Sequence, residues 1–100
     1  MIVNNLDDFF QLIDDAEYGE YKVLFSNASY HSGDWPASRY IEHLLNLRVH
    51  SEETKISFKC ESIESEEHLS LVKIWEIYPA TLSGPEKEKW TLWKIAHRNG

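Results

Sequence analysis

The spacing of apolar residues predicts a helix early in the sequence. Between positions 5 and 16, apolar side chains recur at the spacing of one helix face, at Leu6, Phe9, Phe10 and Ile13. Asn5 stands at the N-cap position, Asp8 follows at the capping-box position, and Gly19 can adopt the left-handed conformation that ends a helix. We therefore predict a first helix that begins after Asn5.

A strand and a second helix are predicted next. Aromatic and β-branched residues alternate with other residues at Tyr21, Val23 and Phe25, which indicates a strand running toward Tyr30. Residues 31–34 are typical of a loop. Pro36 suits the first turn of a helix, because its missing N–H costs nothing there. The apolar stripe of this second helix, which we expect to end near residue 47, is formed by Tyr40, Ile41, Leu44 and Leu45.

Extended segments dominate the second half of the sequence. After a turn at 51–53, alternating apolar residues at Ile56, Phe58 and Cys60 predict a strand with one buried face. Residues 69–78 are apolar at odd and even positions, which predicts a central strand covered on both faces, although their first half also fits a helix. Residues 90–97 are the predicted last strand, and a long loop at 79–89 would join these two strands as an antiparallel hairpin.

The order of these elements, α-β-α-β-β-β, predicts the fold class. It favours an α+β fold with two helices packed on one face of a mainly antiparallel sheet of about four strands. A length of 100 residues suits one hydrophobic core, so positions 1–100 are expected to form one domain. Four Trp, five Tyr and four Phe can supply its apolar area without disulfides.

Composition narrows the class of function. A formal net charge of −7 disfavours direct binding to nucleic acid, since phosphate contacts need clustered Lys and Arg. The single cysteine, Cys60, and the lack of a signal-peptide pattern favour a cytoplasmic location. The apolar runs are much shorter than the ~20 residues of a membrane span, so no membrane association is expected.

The negative charge is concentrated in two regions. The first 21 residues contain no Lys or Arg and six acidic residues, namely Asp7, Asp8, Asp14, Asp15, Glu17 and Glu20. On a helix the four Asp would form a row with about one charge per 3 Å, close to the ~3.4 Å spacing of phosphates along one nucleic-acid strand. Asp14, Asp15 and Glu17 lie near the negative end of the helix dipole, where acidic residues are unfavourable. This region is either a solvated acidic face or a surface that binds a partner.

The second acidic region spans residues 62–68. It contains Glu64, Glu66 and Glu67 and fits either a further acidic patch or a polar loop or helical turn before a strand. If it folds beside the first helix, the combined carboxylates would form a docking surface for a cationic protein.

The sequence contains no strong catalytic, metal or nucleotide motif. His31, Ser32 and Asp34 combine a base, a hydroxyl and a carboxylate in one loop, but Asp34 fits equally well as the N-cap of the second helix. The alternation around Cys60 predicts a buried, inert thiol. The nearest approach to a metal-ligand spacing is Glu64, Glu67 and His68. We expect no catalytic residues, no metal and no cofactor.

These features favour a non-enzymatic inhibitor that binds a basic protein, for example a nuclease or another nucleic-acid-binding protein. The carboxylates listed above would approach the partner's Lys and Arg, and Trp35, in a predicted loop, would supply the apolar anchor. Nuclease-toxin immunity proteins and phage-encoded blockers of host defence use this strategy, in some cases as nucleic-acid mimics.

Two alternatives remain open. Residues 94–98 (Lys-Ile-Ala-His-Arg), which follow Trp90 and Trp93, resemble the closing strand of NTF2-like proteins over about nine residues. That resemblance implies a curved sheet that holds a small ligand or substrate, with His31, Asp34 or His97 as polar groups in the pocket. The other alternative is a structural module that forms a homodimer through a sheet edge rather than remaining a monomer.

Overall fold

The computed structural model describes residues 2–15, 20–27 and 36–96, with backbone alone described at positions 15 and 20. The predicted α+β class and the order α-β-α-β-β-β are confirmed, with one additional short helix. The elements are α1 (Leu6–Asp15), β1 (Glu20–Ser26), α2 (Ala37–Val49), α3 (Ser51–Thr54), β2 (Ser57–Ser65), β3 (Leu69–Tyr78) and β4 (Lys87–Ala96).

The first helix begins where its capping residues predict. The backbone N–H of Asp8 donates to the Asn5 side chain at 2.8 Å, and the backbone N–H of Asn4 donates to the Asp8 carboxylate at 3.0 Å. These two bonds satisfy donors that a helix start leaves without intrahelical partners. The buried stripe of α1 is Leu6, Phe9 and Leu12, with Phe10 and Ile13 half-buried beside it.

The four strands form one antiparallel sheet in the order β1-β4-β3-β2. Strands β2, β3 and β4 follow one another as a meander, and β1 joins at the outer side of β4. The two edge strands are therefore β1 and β2, and each contains a register shift, between Val23 and Phe25 in β1 and between Ser62 and Glu64 in β2.

The core lies between the helices and one face of the sheet. Trp93 is fully buried at its centre, with its ring centroid 5.1 Å from Phe9 of α1 and 6.1 Å from Tyr40 of α2. Each of these aromatic side chains removes on the order of 150–250 Å² from water, and edge-to-face contacts add to that stabilisation. Both helices are thus fixed on the same strand, β4.

Three predictions about local structure are wrong. Residues 51–53 belong to the short helix α3 rather than to a turn. Residues 62–65 belong to β2, so only 66–68 remain as the β2–β3 turn instead of a loop that begins at position 62. Helix α2 has Pro36, not Asp34, at its N-cap and extends to Val49, and its predicted stripe residue Leu45 is 44% exposed.

The prediction that β3 is covered on both faces is also wrong. Its burial alternates strictly from Leu69 to Glu76, because its even-numbered residues face the helices and its odd-numbered residues face away. Among the described residues, no helix packs on that second face. The half-buried state of residues such as Leu71 and Trp75 results from neighbouring strands instead.

Candidate interaction surfaces

One end of the sheet brings together carboxylates from separate parts of the sequence. The backbone of Glu20, at the start of β1, lies in the same row as Ala96 and Leu69, and the β2–β3 turn at 66–68 immediately precedes Leu69. With strands ~4.8 Å apart, this row is about 10 Å wide. We call the exposed carboxylates Asp14, Glu64, Glu66 and Glu67 the acidic end.

Helix α1 crosses the sheet close to this end. The backbone N–H of Val3 donates to the Ser62 hydroxyl at 2.7 Å, which attaches the chain before α1 to β2. The helix then ends at Asp15, four residues before β1 begins. The start of α1 is therefore attached to β2, and its end leads to β1 at the other edge of the sheet.

Glu64 and Glu66 lie close enough for their carboxyl groups to share a hydrogen bond. That bond and the negative charge of Glu66 raise the pKa of Glu64 above its usual value. When both groups are ionised they repel each other, so this pair does not favour folding.

Two of the predicted carboxylates have structural roles. Asp7 forms an ion pair with Arg48 of α2, and the same guanidinium lies 5.8 Å from the Phe10 ring centroid. Asp8 caps α1, as described above. Both groups therefore have partners within the chain, and of the α1 residues with described side chains only Asp14 belongs to the acidic end.

Other predicted residues fall partly or wholly outside the description. At Asp15 and Glu20 the backbone alone is described, and Glu17, His31, Asp34, Trp35 and His97 lie outside the described residues. The role of Trp35 as an apolar anchor thus stays a prediction.

The sheet face away from the helices carries an aromatic pair. Trp75 and Trp90 are directly opposite each other on β3 and β4. The Lys73 ammonium lies 4.7 Å from the Trp75 ring centroid and 4.3 Å from that of Trp90, and the Lys59 ammonium lies 4.8 Å from Trp75. Such cation–π contacts let lysines lie over an apolar surface.

The register places the remaining residues of this face in rows across the sheet. One row contains Glu61, Lys73, Leu92 and Phe25, and the next contains Glu64, Leu71, Lys94 and Lys22. In these two rows the carboxylates lie on β2 and Lys22 and Lys94 lie on β1 and β4, whereas Lys59 of β2 and Glu88 of β4 belong to other rows of the same face. Phe25 is 64% exposed, which is unusual for so large an apolar side chain. We call this surface the open face.

On the opposite side, the helix-covered face contains a buried carboxylate that was not predicted. Glu76 is 1% exposed, and its Oε1 lies 3.0 Å from Nε2 of His43 and accepts a hydrogen bond from the Tyr78 hydroxyl at 2.8 Å. Burial first, and then the hydrogen bond to Glu76, raise the pKa of Tyr78. The signal in the sequence was the single acidic residue of a mainly apolar strand.

This face leaves little space for the ligand pocket of the NTF2-like alternative. In the described part of the chain it is filled by aromatic and aliphatic side chains, including Phe9, Tyr40 and Trp93. The predicted burial of Cys60 is confirmed, because this residue is 7% exposed. Burial and the charge of Asp8 raise the pKa of its thiol to about 12, and its low reactivity stays a prediction.

Residues 2–15, 20–27 and 36–96 contain no group of three His, Cys, Asp or Glu side chains arranged to hold a metal ion. Within the same ranges, no helix is long and apolar enough to cross a bilayer. Comparison of the chain with protein-family models, with curated proteins and with solved structures found no match.

Proposed function

We propose that this protein binds another protein and covers a basic or nucleic-acid-binding region of that partner, as inhibitors of the immunity or anti-defence type do. The proposal rests on the acidic end, which comprises exposed carboxylates at the end of α1, in β2 and in the β2–β3 turn. Its contact surface on the partner would be rich in Lys and Arg.

The arrangement of charge supports a role in association rather than in catalysis. Exposed carboxylates at one end of a small domain create a directional field, which accelerates the approach of a cationic partner and selects against anionic ones. The contact between Glu64 and Glu66 strengthens this field locally. A cationic group of the partner would relieve their repulsion, so binding would return the pKa of Glu64 toward its usual value.

The test compares two variants of equal net charge. Asp14→Lys/Glu66→Lys/Glu67→Lys alters the acidic end, and Glu42→Lys/Glu52→Lys/Glu86→Lys alters three exposed carboxylates elsewhere. Each changes the formal charge from −7 by six positive units. Capture from a lysate of the source cells identifies a basic protein, whose affinity for each purified variant is then measured by calorimetry.

We expect the acidic-end variant to lose at least ~10-fold in affinity and the control variant to lose much less, since rim charges act locally over a Debye length of ~8 Å. Association with the wild-type protein should also slow as salt rises. Equal losses in both variants would show that only overall charge matters and would contradict the proposal.

A further inference from the structure

We propose that the open face binds the open face of a second copy of this chain, with the two-fold axis parallel to the strands. This inference goes beyond the proposed function, since it concerns self-association through the open face, which shares only Glu64 with the acidic end. It rests on the apolar character of the face, its charge pattern, its size and the structure of the sheet edges.

Most side chains near the centre of the open face are apolar, and Lys73 lies among them over two indole rings. Leu69, Leu71 and Ile77 of β3 and Leu92 of β4 surround the paired Trp75 and Trp90, and all are half-buried in the single chain. Phe25 extends this surface onto β1 with 64% of its area exposed. Contiguous apolar surface with a charged border is typical of protein interfaces.

The charge pattern identifies the partner as a second copy. When the two-fold axis is parallel to the strands, each row of one copy lies over the same row of the second copy with the strand order reversed. Strand β2 of one copy then lies over β1 of the other. Glu64 then faces Lys22 of the second copy, and Lys22 faces its Glu64. An axis across the strands would place β2 over β2 and β1 over β1, so Glu64 of one copy could not reach Lys22 of the other. Charge therefore selects the first arrangement.

The same axis matches the apolar rows. Trp75 lies over Trp90 of the second copy, and Lys73 lies over Leu92. The Lys73 ammonium is already over two indole rings, at 4.7 and 4.3 Å, which lowers the cost of removing it from water. Two sheets packed in this way would form a β-sandwich with faces ~10 Å apart.

The area of the open face is close to that of a stable dimer interface. Four strands at ~4.8 Å and eight residue steps at ~3.3 Å give about 500 Å² in projection. The accessible area of a surface covered by side chains exceeds its projection, and specific interfaces bury ~600–800 Å² or more per partner. The open face therefore approaches the area that a stable dimer needs.

The sheet edges favour this arrangement over pairing through an edge. Both edge strands contain bulges, between Val23 and Phe25 and between Ser62 and Glu64. A bulge interrupts the regular row of N–H and C=O groups that a second strand would require. The face remains as the extended surface for self-association.

Sedimentation equilibrium from about 1 to 100 µM, a range that covers the affinities of small interfaces, tests the proposal. We expect the wild-type mass to rise to that of a dimer. Lys22→Glu and Glu64→Lys should each weaken the dimer at least ~10-fold, and Phe25→Glu should weaken it further. The combined variant Lys22→Glu/Glu64→Lys should recover most of the affinity, since the charges are exchanged. Glu42→Lys and Lys87→Glu serve as charge-matched controls outside the open face, and circular dichroism verifies folding.

A monomeric wild-type protein at the highest concentration overturns the proposal. So does a dimer that the exchanged variant fails to restore, or one that tolerates Phe25→Glu. Glu64 belongs to both surfaces, but Lys22→Glu and Phe25→Glu lie outside the acidic end, and the acidic-end variant leaves Glu64 in place, so the two proposals can fail separately.

Discussion

The imidazole Nε2 of His43 lies 3.0 Å from Oε1 of Glu76, and this contact joins α2 to the central strand β3. Glu76 is 1% exposed and His43 22% exposed, so the pair lies where the helix meets the sheet. The Tyr78 hydroxyl donates to the same oxygen at 2.8 Å. A buried carboxylate must keep its hydrogen-bond partners, because each partner that is lost leaves an uncompensated polar atom in the core.

The first prediction concerns this network. His43→Ala and Tyr78→Phe should each reduce the free energy of unfolding by ~1–3 kcal/mol, because each removes a partner of a buried carboxylate. The double variant should deviate from additivity by more than ~0.5 kcal/mol, since both groups share Oε1 of Glu76. Urea denaturation of the four proteins measures the coupling. Additive losses would show that the two bonds act independently.

A second prediction concerns the start of α1. Asn5→Ala should destabilise the protein by ~1 kcal/mol, because the Asp8 backbone N–H loses its 2.8 Å acceptor. Asn4→Ala is a suitable control, since the contact described for Asn4 uses only its backbone N–H. Thermal unfolding of the two variants should separate them clearly. Equal stability of the two variants would show that the Asn5 cap does not stabilise α1.

Helices α1 and α2 and the class of fold can be predicted from local sequence patterns, for a physical reason. The spacing of Leu6 and Phe9 and the cap at Asn5 act within a few residues, so they can be recognised without tertiary information. Residues 62–65 could not be assigned in this way. They are polar in composition and become a strand because β3 supplies the hydrogen-bond partners.

The candidate surfaces were less predictable. An apolar residue such as Trp75 gives the same sequence signal whether it lies under a helix or on an open face among neighbouring strands. The charge density of α1 is visible in the sequence, but the pairing of Asp7 with Arg48 depends on how two helices dock. The gathering of Glu66 and Glu67 with the start of β1 depends on strand order, which composition does not reveal.

The third prediction is chemical. Cys60 should react with a thiol reagent such as dithionitrobenzoate far more slowly in the native protein than in the unfolded one, because the thiolate is the reactive form and burial holds the pKa at about 12. The absorbance of the released thiolate at pH 8 provides the measurement, with a sample in guanidinium as the reference. Rapid labelling without denaturant would contradict the burial of this residue.

The fourth prediction is a loss of stability at alkaline pH. The pKa of Cys60 is raised from 9.0 to about 12 in the folded protein. As pH rises, the thiol therefore loses its proton in the unfolded protein before it does so in the folded one. The resulting stabilisation is complete below pH 9 and is lost between pH 9 and 12, with a slope of about 1.4 kcal/mol per pH unit. Tyr78, whose pKa is also raised, adds to the loss above pH 10.

Urea denaturation at several pH values measures this slope, with Cys60→Ala as the comparison. The variant should keep nearly constant stability from pH 9 to 10, whatever its absolute stability, and should lose stability only above that range. A slope that is the same with and without the thiol would show that other groups control the alkaline transition.

The pairing of β1 with β4 has a consequence for the order in which the structure forms. Val23 and Trp93 are partners although about 70 positions separate them in sequence, whereas β2, β3 and β4 are joined by short connections. Closing a long loop costs more entropy than closing a short one, and contacts distant in sequence slow folding. The meander should therefore assemble in the transition state, while β1 adds afterwards. During synthesis on the ribosome, β1 cannot pair with β4, its neighbour in the described sheet, until β4 has emerged.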